Sequence, residues 1–330
     1  MYFKKFWLHS FIENYRGDNV IFDLHCDTID RLINSKDRLK KNNFSVDVEK
    51  LKKSNANAQI FALYVSLQLE EDPLKKCLKM IDRFYSEIEL NKEDIKLATN
   101  YDEFIKNKNE NKISAFLSVE EGGTLQGNLY NLRILNKLGV RVMTLTWNIE
   151  NEIGYPNINH DYIEKGLKKF GFEVVSEMNR LGMIIDISHL SDKGVKDVLN
   201  YSKAPVLASH SNARAICNHK RNLTDEMIKG IAKNGGVIGI NFEKTFLSDK
   251  DVGTVEYIVN HIKHIINVGG ENCVGIGSDF DGISTKNLEM QNVGEIYKLI
   301  DGLKKANFTE DVIEKIMYKN ALRLVKDVMI

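Results

Sequence analysis

Only 3 of the 330 residues are proline and only 4 are cysteine. So few prolines leave little room for a long disordered linker. The cysteines, at 26, 77, 217 and 273, form no CxxC pair, and a chain of this size needs no disulfide staples. Free thiols in a reducing cytoplasm are therefore expected. Net charge is missing as well, because 46 basic and 46 acidic side chains cancel. That balance argues against a nucleic acid or an acidic membrane surface as partner. No apolar run reaches the roughly 18 residues that would span a bilayer. The opening stretch MYFKKFWLHSFIENYRGDN (1–19) is broken by His9, Ser10 and Glu13 before it can form the apolar core of a signal peptide. It is expected to be an amphipathic arm packed on the body, or an upstream start that adds little. No Gly-rich dinucleotide fingerprint follows the first apolar run, and GGTLQG (122–127) fits neither that pattern nor a P-loop.

What is present is an ordinary globular balance, 43% hydrophobic and 28% charged, with ample material for a core. Eight short apolar runs recur: VIFDLH (20–25), AQIFALYV (58–65), ISAFLSV (113–119), VMTLT (142–146), MIIDIS (183–188), PVLAS (205–209), GVIGINF (236–242) and CVGIGSD (273–279). They are nearly continuous rather than alternating, as parallel strands covered on both faces are. Helical spacing fills the intervals. The segment 161–182 is predicted as a helix capped by Gly182. The segments 191–202 and 223–236 are predicted to start from the N-caps Ser191 and Thr224, and the last ~50 residues read as helices that close the fold. Strands alternating with helices and no break in composition predict one α/β domain over 20–330, a single (β/α)8 TIM-like barrel. A doubly wound open sheet is the main alternative.

Barrel enzymes carry their chemistry at the C-terminal ends of the strands. There the first run delivers His25 and Asp27, the third Glu120 and Glu121, the fifth His189, the sixth His210 and the eighth Asp279. Each motif alone has an ordinary structural explanation, such as a capping aspartate, a satisfied histidine or a turn. Their conjunction at one rim is specific, since three of the 8 histidines fall there. Residues i and i+2 of a strand share a face, so His25 and Asp27 can reach one ion together while Cys26 points away. Imidazoles and carboxylates without a thiolate suit zinc in a hydrolytic site, or a related divalent ion. His189 and His210 can hold a second ion, with a glutamate bridging the two.

The ordered set FDLHCDT, SVEEGG, MTLTWN, DISHLS, ASHSNARAICNHKRNLTDE and GSDFDG, spanning 20–282, resembles the renal (membrane) dipeptidase family, zinc metallopeptidases related to the amidohydrolase barrels. The resemblance implies a binuclear site with two Zn2+ per chain. His25 and Asp27 would hold one ion and His189 and His210 the other. Glu120 would bridge them, chosen over Glu121 by its spacing to the downstream LG (138–139). Asp279 would match the acid that handles protons, and Arg221 of HKRN the arginine that binds substrate. Mammalian members have a histidine after LT that contacts substrate near the scissile carbonyl. This chain has Trp147 there, followed by Asn148, so both are expected at the substrate while the electrophilic assistance is in doubt. The implied function is hydrolysis of a dipeptide by a hydroxide bridging the two metals. The expected partner is a small dipeptide, with neither nucleic acid nor membrane, and a homodimer is allowed. Another metal-dependent amidohydrolase acting on N-acyl amino acids or cyclic amides is the alternative. A nucleobase deaminase fits less well because that chemistry usually runs on one metal. A non-catalytic binding barrel would be signalled by a broken ligand set, and the ligands look intact.

Overall fold

The computed structural model describes residues 20–329, so the arm expected at 1–19 lies outside the described residues. Nine parallel strands form one sheet: β1 (Ile21–Cys26), β2 (Ala56–Tyr64), β3 (Ile95–Leu97), β4 (Ile113–Glu120), β5 (Val140–Thr144), β6 (Ile184–Asp186), β7 (Leu207–Ala208), β8 (Val237–Ile240) and β9 (Val274–Ile276). Pairing of β1 with both β2 and β9, and of β2 with β4, closes eight of them into a barrel wrapped by helices. The ninth, β3, sits outside the ring on the lower half of β4, where Ile95 pairs with Ile113 and Leu97 with Ala115. Three residues, one of them lysine, are too few and too polar to stand out as an apolar run.

The eight runs coincide with the eight barrel strands, but the ladders stop early. MIIDIS contributes three residues to β6 and PVLAS two to β7. The reason is local. The N–H groups of Ser188 and Ser209 go to the Asp186 carboxylate, and that of Ser278 to Asp23, instead of continuing a ladder. Two apolar layers result. Phe22, Ile60, Phe116, Val142, Ile184 and Leu207 fill the barrel interior and are plugged by Leu324 and Val328 of the C-terminal helix Asn320–Val328. Phe61, Leu117, Met143, Ile185 and Ile238 face the helices.

The caps at Ser191 and Thr224 accept from Gly194 N and Met227 N as their sequence predicts, and Gly182 ends its helix in the left-handed region at φ 65. The helix predicted over 161–182 begins only at Lys169. Residues before it dock instead on the neighbouring helix, where Asp197 Oδ2 accepts Leu167 N–H at 3.0 Å and Gly166 leaves no room for a Cβ against the same carboxylate. Tertiary contact overrides the helical spacing there. No helix among the described residues is long and apolar enough to cross a membrane.

Between β7, β8 and β9 the backbones approach so closely that glycine is required. A Cβ on Gly277 would stand 1.7 Å from the Ser209 carbonyl oxygen, and one on Gly239 would stand 2.0 Å from it. Both obstacles are main chain, so no rotamer change relieves them. Gly277→Ala is expected to lower the free energy of unfolding by about 1–3 kcal/mol or more, as overpacking does. The urea midpoint measures it, and a wild-type midpoint would contradict the close approach.

Candidate metal centre

The strand ends converge on one mouth of the barrel. Glu120 is the last residue of β4, His189 and His210 follow β6 and β7, and Asp279 follows β9 in a left-handed turn at φ 60. His25 arrives differently from the simple i, i+2 expectation. The pairing of β1 with β2 slips between Asp23 and Cys26, so three steps of β1 run against two of β2. Leu24 joins the interior cluster and Cys26 the outer layer, with His25 re-aimed between them, which is a common use of a bulge beside a site. Asp27 is no longer in the strand; it stands at the N-cap position of the helix Thr28–Ile33 without a side-chain capping bond, which leaves its carboxylate free to face the centre.

Glu120 stands between the imidazoles. Its Oε2 is 3.4 Å from His25 Nε2, and its Oε1 is 3.2 Å from His189 Nε2 and 3.5 Å from His210 Nε2. Asp27 Oδ2 lies 3.4 Å and Asp279 Oδ1 3.9 Å from His25 Nε2. The His189 and His210 Nε2 atoms are 2.9 Å apart. Two groups of donor atoms are close enough to share an ion, His25 with Asp27 and Asp279, and His25 with Glu120 and His210. His25 belongs to both, so the groups overlap more than two separate pairs would.

These donors fit divalent cations. Buried His25 Nε2 and Asp27 Oδ1 have no hydrogen-bond partner, an expensive condition that an ion relieves. The Nδ1 atoms of His189 and His210 are engaged by Asn148 Oδ1 at 3.1 Å and Ser209 Oγ at 2.7 Å, which turns both Nε2 atoms into the site. Burial, with Arg221 nearby, lowers His189 to about 4, and burial also holds His210 well below its usual value. Both rings are thus neutral and offer lone pairs. Burial pushes Glu120 up, but the charge of His25 and the close His189 and His210 rings outweigh it and keep the carboxyl well below its usual range. Burial raises Asp279 to about 6.

The neighbouring Glu121 turns away. It is buried at φ 120 and accepts from Gly123 N at 2.6 Å, Trp147 N at 3.0 Å and Asn151 Nδ2, so it organises the loop carrying Trp147. Asn148, expected at substrate, lines the cavity while its side-chain oxygen meets His189 Nδ1. Trp147 packs edge-on against Tyr64 at 4.8 Å. The centre opens into a cavity of about 410 Å3 lined by Trp147, Arg221 and Phe246 together with Asp27, Glu120, His189, His210 and Asp279, while His25 lies behind its wall. A cavity of about 510 Å3 near the start of β9 is lined by Lys315, Lys319 and Arg323, but these already pair with Glu271, Asp311 and Asp327. Tyr64, Phe246 and Asn241, whose Nδ2 donates to Asp279 Oδ2 at 2.9 Å, were not singled out by sequence. Asn241 alone carried a signal, as a polar residue inside the run GVIGINF.

A family model described as membrane dipeptidase, peptidase family M19, matches residues 11–329. An uncharacterized dipeptidase of Schizosaccharomyces pombe is 38% identical over 224 residues, 66% of this chain. That match spans 54% of the yeast protein, so the chain covers about half the length of this relative. Among solved structures, a dipeptidase described as a metallopeptidase of family M19 superposes with a TM-score of 0.87 at 25% identity, covering 95% of this chain and 99% of that one. A metallopeptidase of Rhodobacter sphaeroides, solved with a phosphinate mimic of the dipeptide L-Ala-D-Ala, gives 0.86 at 24% identity, with 94% and 100% covered.

Geometry separates the two adjacent glutamates in a measurable way. Glu120→Gln is expected to weaken divalent-ion binding by more than the ~10–100-fold typical of losing an outer partner. Glu121→Gln is expected to leave affinity near wild type while shifting Trp147 fluorescence. Equilibrium dialysis with zinc and emission spectra in a Trp7→Phe background test this, and the reverse ranking would contradict it.

Proposed function

The chain belongs to the membrane dipeptidase family, peptidase family M19, and from that membership we propose that it is a zinc-dependent dipeptidase holding two ions per chain. The observation that carries the substrate class is a buried arginine. Arg221 is 3% exposed, and its guanidinium donates to the carbonyls of Ser188 and His210 and lies 5.5 Å over the Phe246 ring. Burial lowers it to about 10, so it remains a cation near neutral pH. Two carbonyl contacts leave several of the five N–H donors for a ligand. A desolvated guanidinium lining the same cavity as the donor cluster suits the free carboxylate of a short peptide, which it can clasp with paired hydrogen bonds.

His25, Asp27 and Glu120 would hold one ion, and Glu120, His189 and His210 the other. When bound, such ions supply a water of lowered pKa and an electrophile for a carbonyl oxygen. The chain supplies the rest. Asn241 holds Oδ2 of Asp279, which leaves Oδ1 facing the centre. Raised to about 6 by burial, Asp279 is suited to take a proton there and return it to the leaving amine. Trp147 and Tyr64 wall one side and limit water. The four cysteines, all unpaired, support a reducing compartment such as the cytoplasm.

Asp279→Asn is expected to keep metal and fold while turnover falls by ~10²–10⁴, the range for a lost general acid–base. Near-normal turnover in that variant would remove Asp279 from the chemistry. The substrate class is tested by comparing a dipeptide with its C-terminal amide. A charge-assisted hydrogen bond contributes ~1.5–3 kcal/mol, and ~1.36 kcal/mol is tenfold in rate. Amidation should therefore cost wild type about 10- to 150-fold in kcat/KM but cost Arg221→Ala little, because the partner of the carboxylate is already gone. Simple additivity in this double-mutant cycle would exclude carboxylate recognition by Arg221 and favour a broader amidohydrolase.

A further inference from the structure

The barrel's two weakest seams are the ones that bring candidate ligands together. Within the strands, β6 pairs with β7 through a single residue pair, Asp186 with Leu207. β1 pairs with β9 through one as well, Asp23 with Ile276, followed only by an isolated bridge at Cys26 and Phe280. Every other seam of the ring has at least two such pairs. At both weak seams the paired residue is a fully buried aspartate.

Each aspartate captures a serine by both its backbone N–H and its hydroxyl. Asp186 takes Ser209 N at 2.9 Å and Ser209 Oγ at 2.7 Å, and also Ser188 N at 3.1 Å and Ser188 Oγ at 2.7 Å. Asp23 takes Ser278 N at 2.9 Å and Ser278 Oγ at 2.5 Å. The residues after these serines are His189, His210 and Asp279. The first clamp reaches further. Ser209 Oγ donates to Asp186 and so can accept His210 Nδ1–H, and Ser188 Oγ accepts His210 N–H at 3.1 Å. This fixes the tautomer that leaves Nε2 to the site.

We propose that Asp186 with Ser188 and Ser209, and Asp23 with Ser278, are two separate positioning clamps that replace the missing ladder at their seams, each setting the geometry of a different metal subsite. The first serves His189 and His210, and the second serves His25 and Asp279. The inference rests on the metal-centre reading but not on the peptidase activity, so zinc affinity is its readout.

Asp27→Ala and His189→Ala provide backgrounds in which one subsite is disabled. Zinc affinity is measured by competition with a chromophoric chelator. In Asp27→Ala, adding Asp186→Asn or Ser209→Ala should weaken zinc by ~10–100-fold, while Asp23→Asn or Ser278→Ala should weaken it several-fold less, because His25 also faces Glu120 and His210. In His189→Ala the pattern should reverse. The serine variants remove a single hydroxyl, so they keep the test usable if a buried aspartate variant fails to fold. Equal weakening in both backgrounds would show general loss of structure and overturn the proposal, as would no weakening in either. Wild-type protein that binds no zinc overturns it together with the metal-centre reading. Site-selective loss supports the clamps whether or not the protein cleaves dipeptides.

Discussion

A buried carboxylate between three imidazoles is the constraint around which this molecule is built. Glu120 is 3% exposed, and its two oxygens face different histidines. An isolated charge at that depth would be prohibitively unstable, so the surroundings must supply positive charge or lone-pair donors arranged around a cation. The strands β1, β6 and β7 exist at this mouth to deliver those groups. Arg221 adds the further positive charge, held on the carbonyl of His210 itself and therefore fixed relative to a donor.

The same constraint explains why the strands are short. Regular ladder residues carry their side chains alternately in and out, yet the successive Ser188 and His189 both turn to the centre or its supports. The chain leaves regular pairing earlier, by a slip in β1 and by serine N–H groups that turn to aspartates in β6, β7 and β9. Glycines at 239 and 277 let the neighbouring backbones close around Ser209. Rigidity comes from the buried carboxylate–serine networks of Asp186 and Asp23, which in a low-dielectric interior hold geometry better than isolated contacts.

Much of this was legible in the residues. Apolar runs ending in His, Asp or Glu identified the barrel and the rim, because burial on both faces forces a continuous hydrophobic pattern and the strand ends follow from where the pattern stops. Caps at Ser191 and Thr224 were legible because a side chain closing its own helix is a local event. Residues 161–168 have helical spacing but form no continuous helix with 169–181, because Asp197, thirty positions from Leu167, takes the Leu167 N–H. β3 went unread because three residues carry no periodicity.

At the site the division falls in the same place. Sequence alone determined which residue types reach the rim and in what order, since that depends on local pattern and strand polarity. Tertiary structure decided how they are used. Glu120 and Glu121 are adjacent and chemically identical, yet one meets the imidazoles and the other turns to three loop donors at φ 120. Asp23 and Asp186 read as ordinary residues inside apolar runs until neighbouring strands bring Ser278 and Ser209 against them. Pairing across strands is set by packing of segments far apart in the chain, and no local pattern encodes which donor a buried carboxylate will meet.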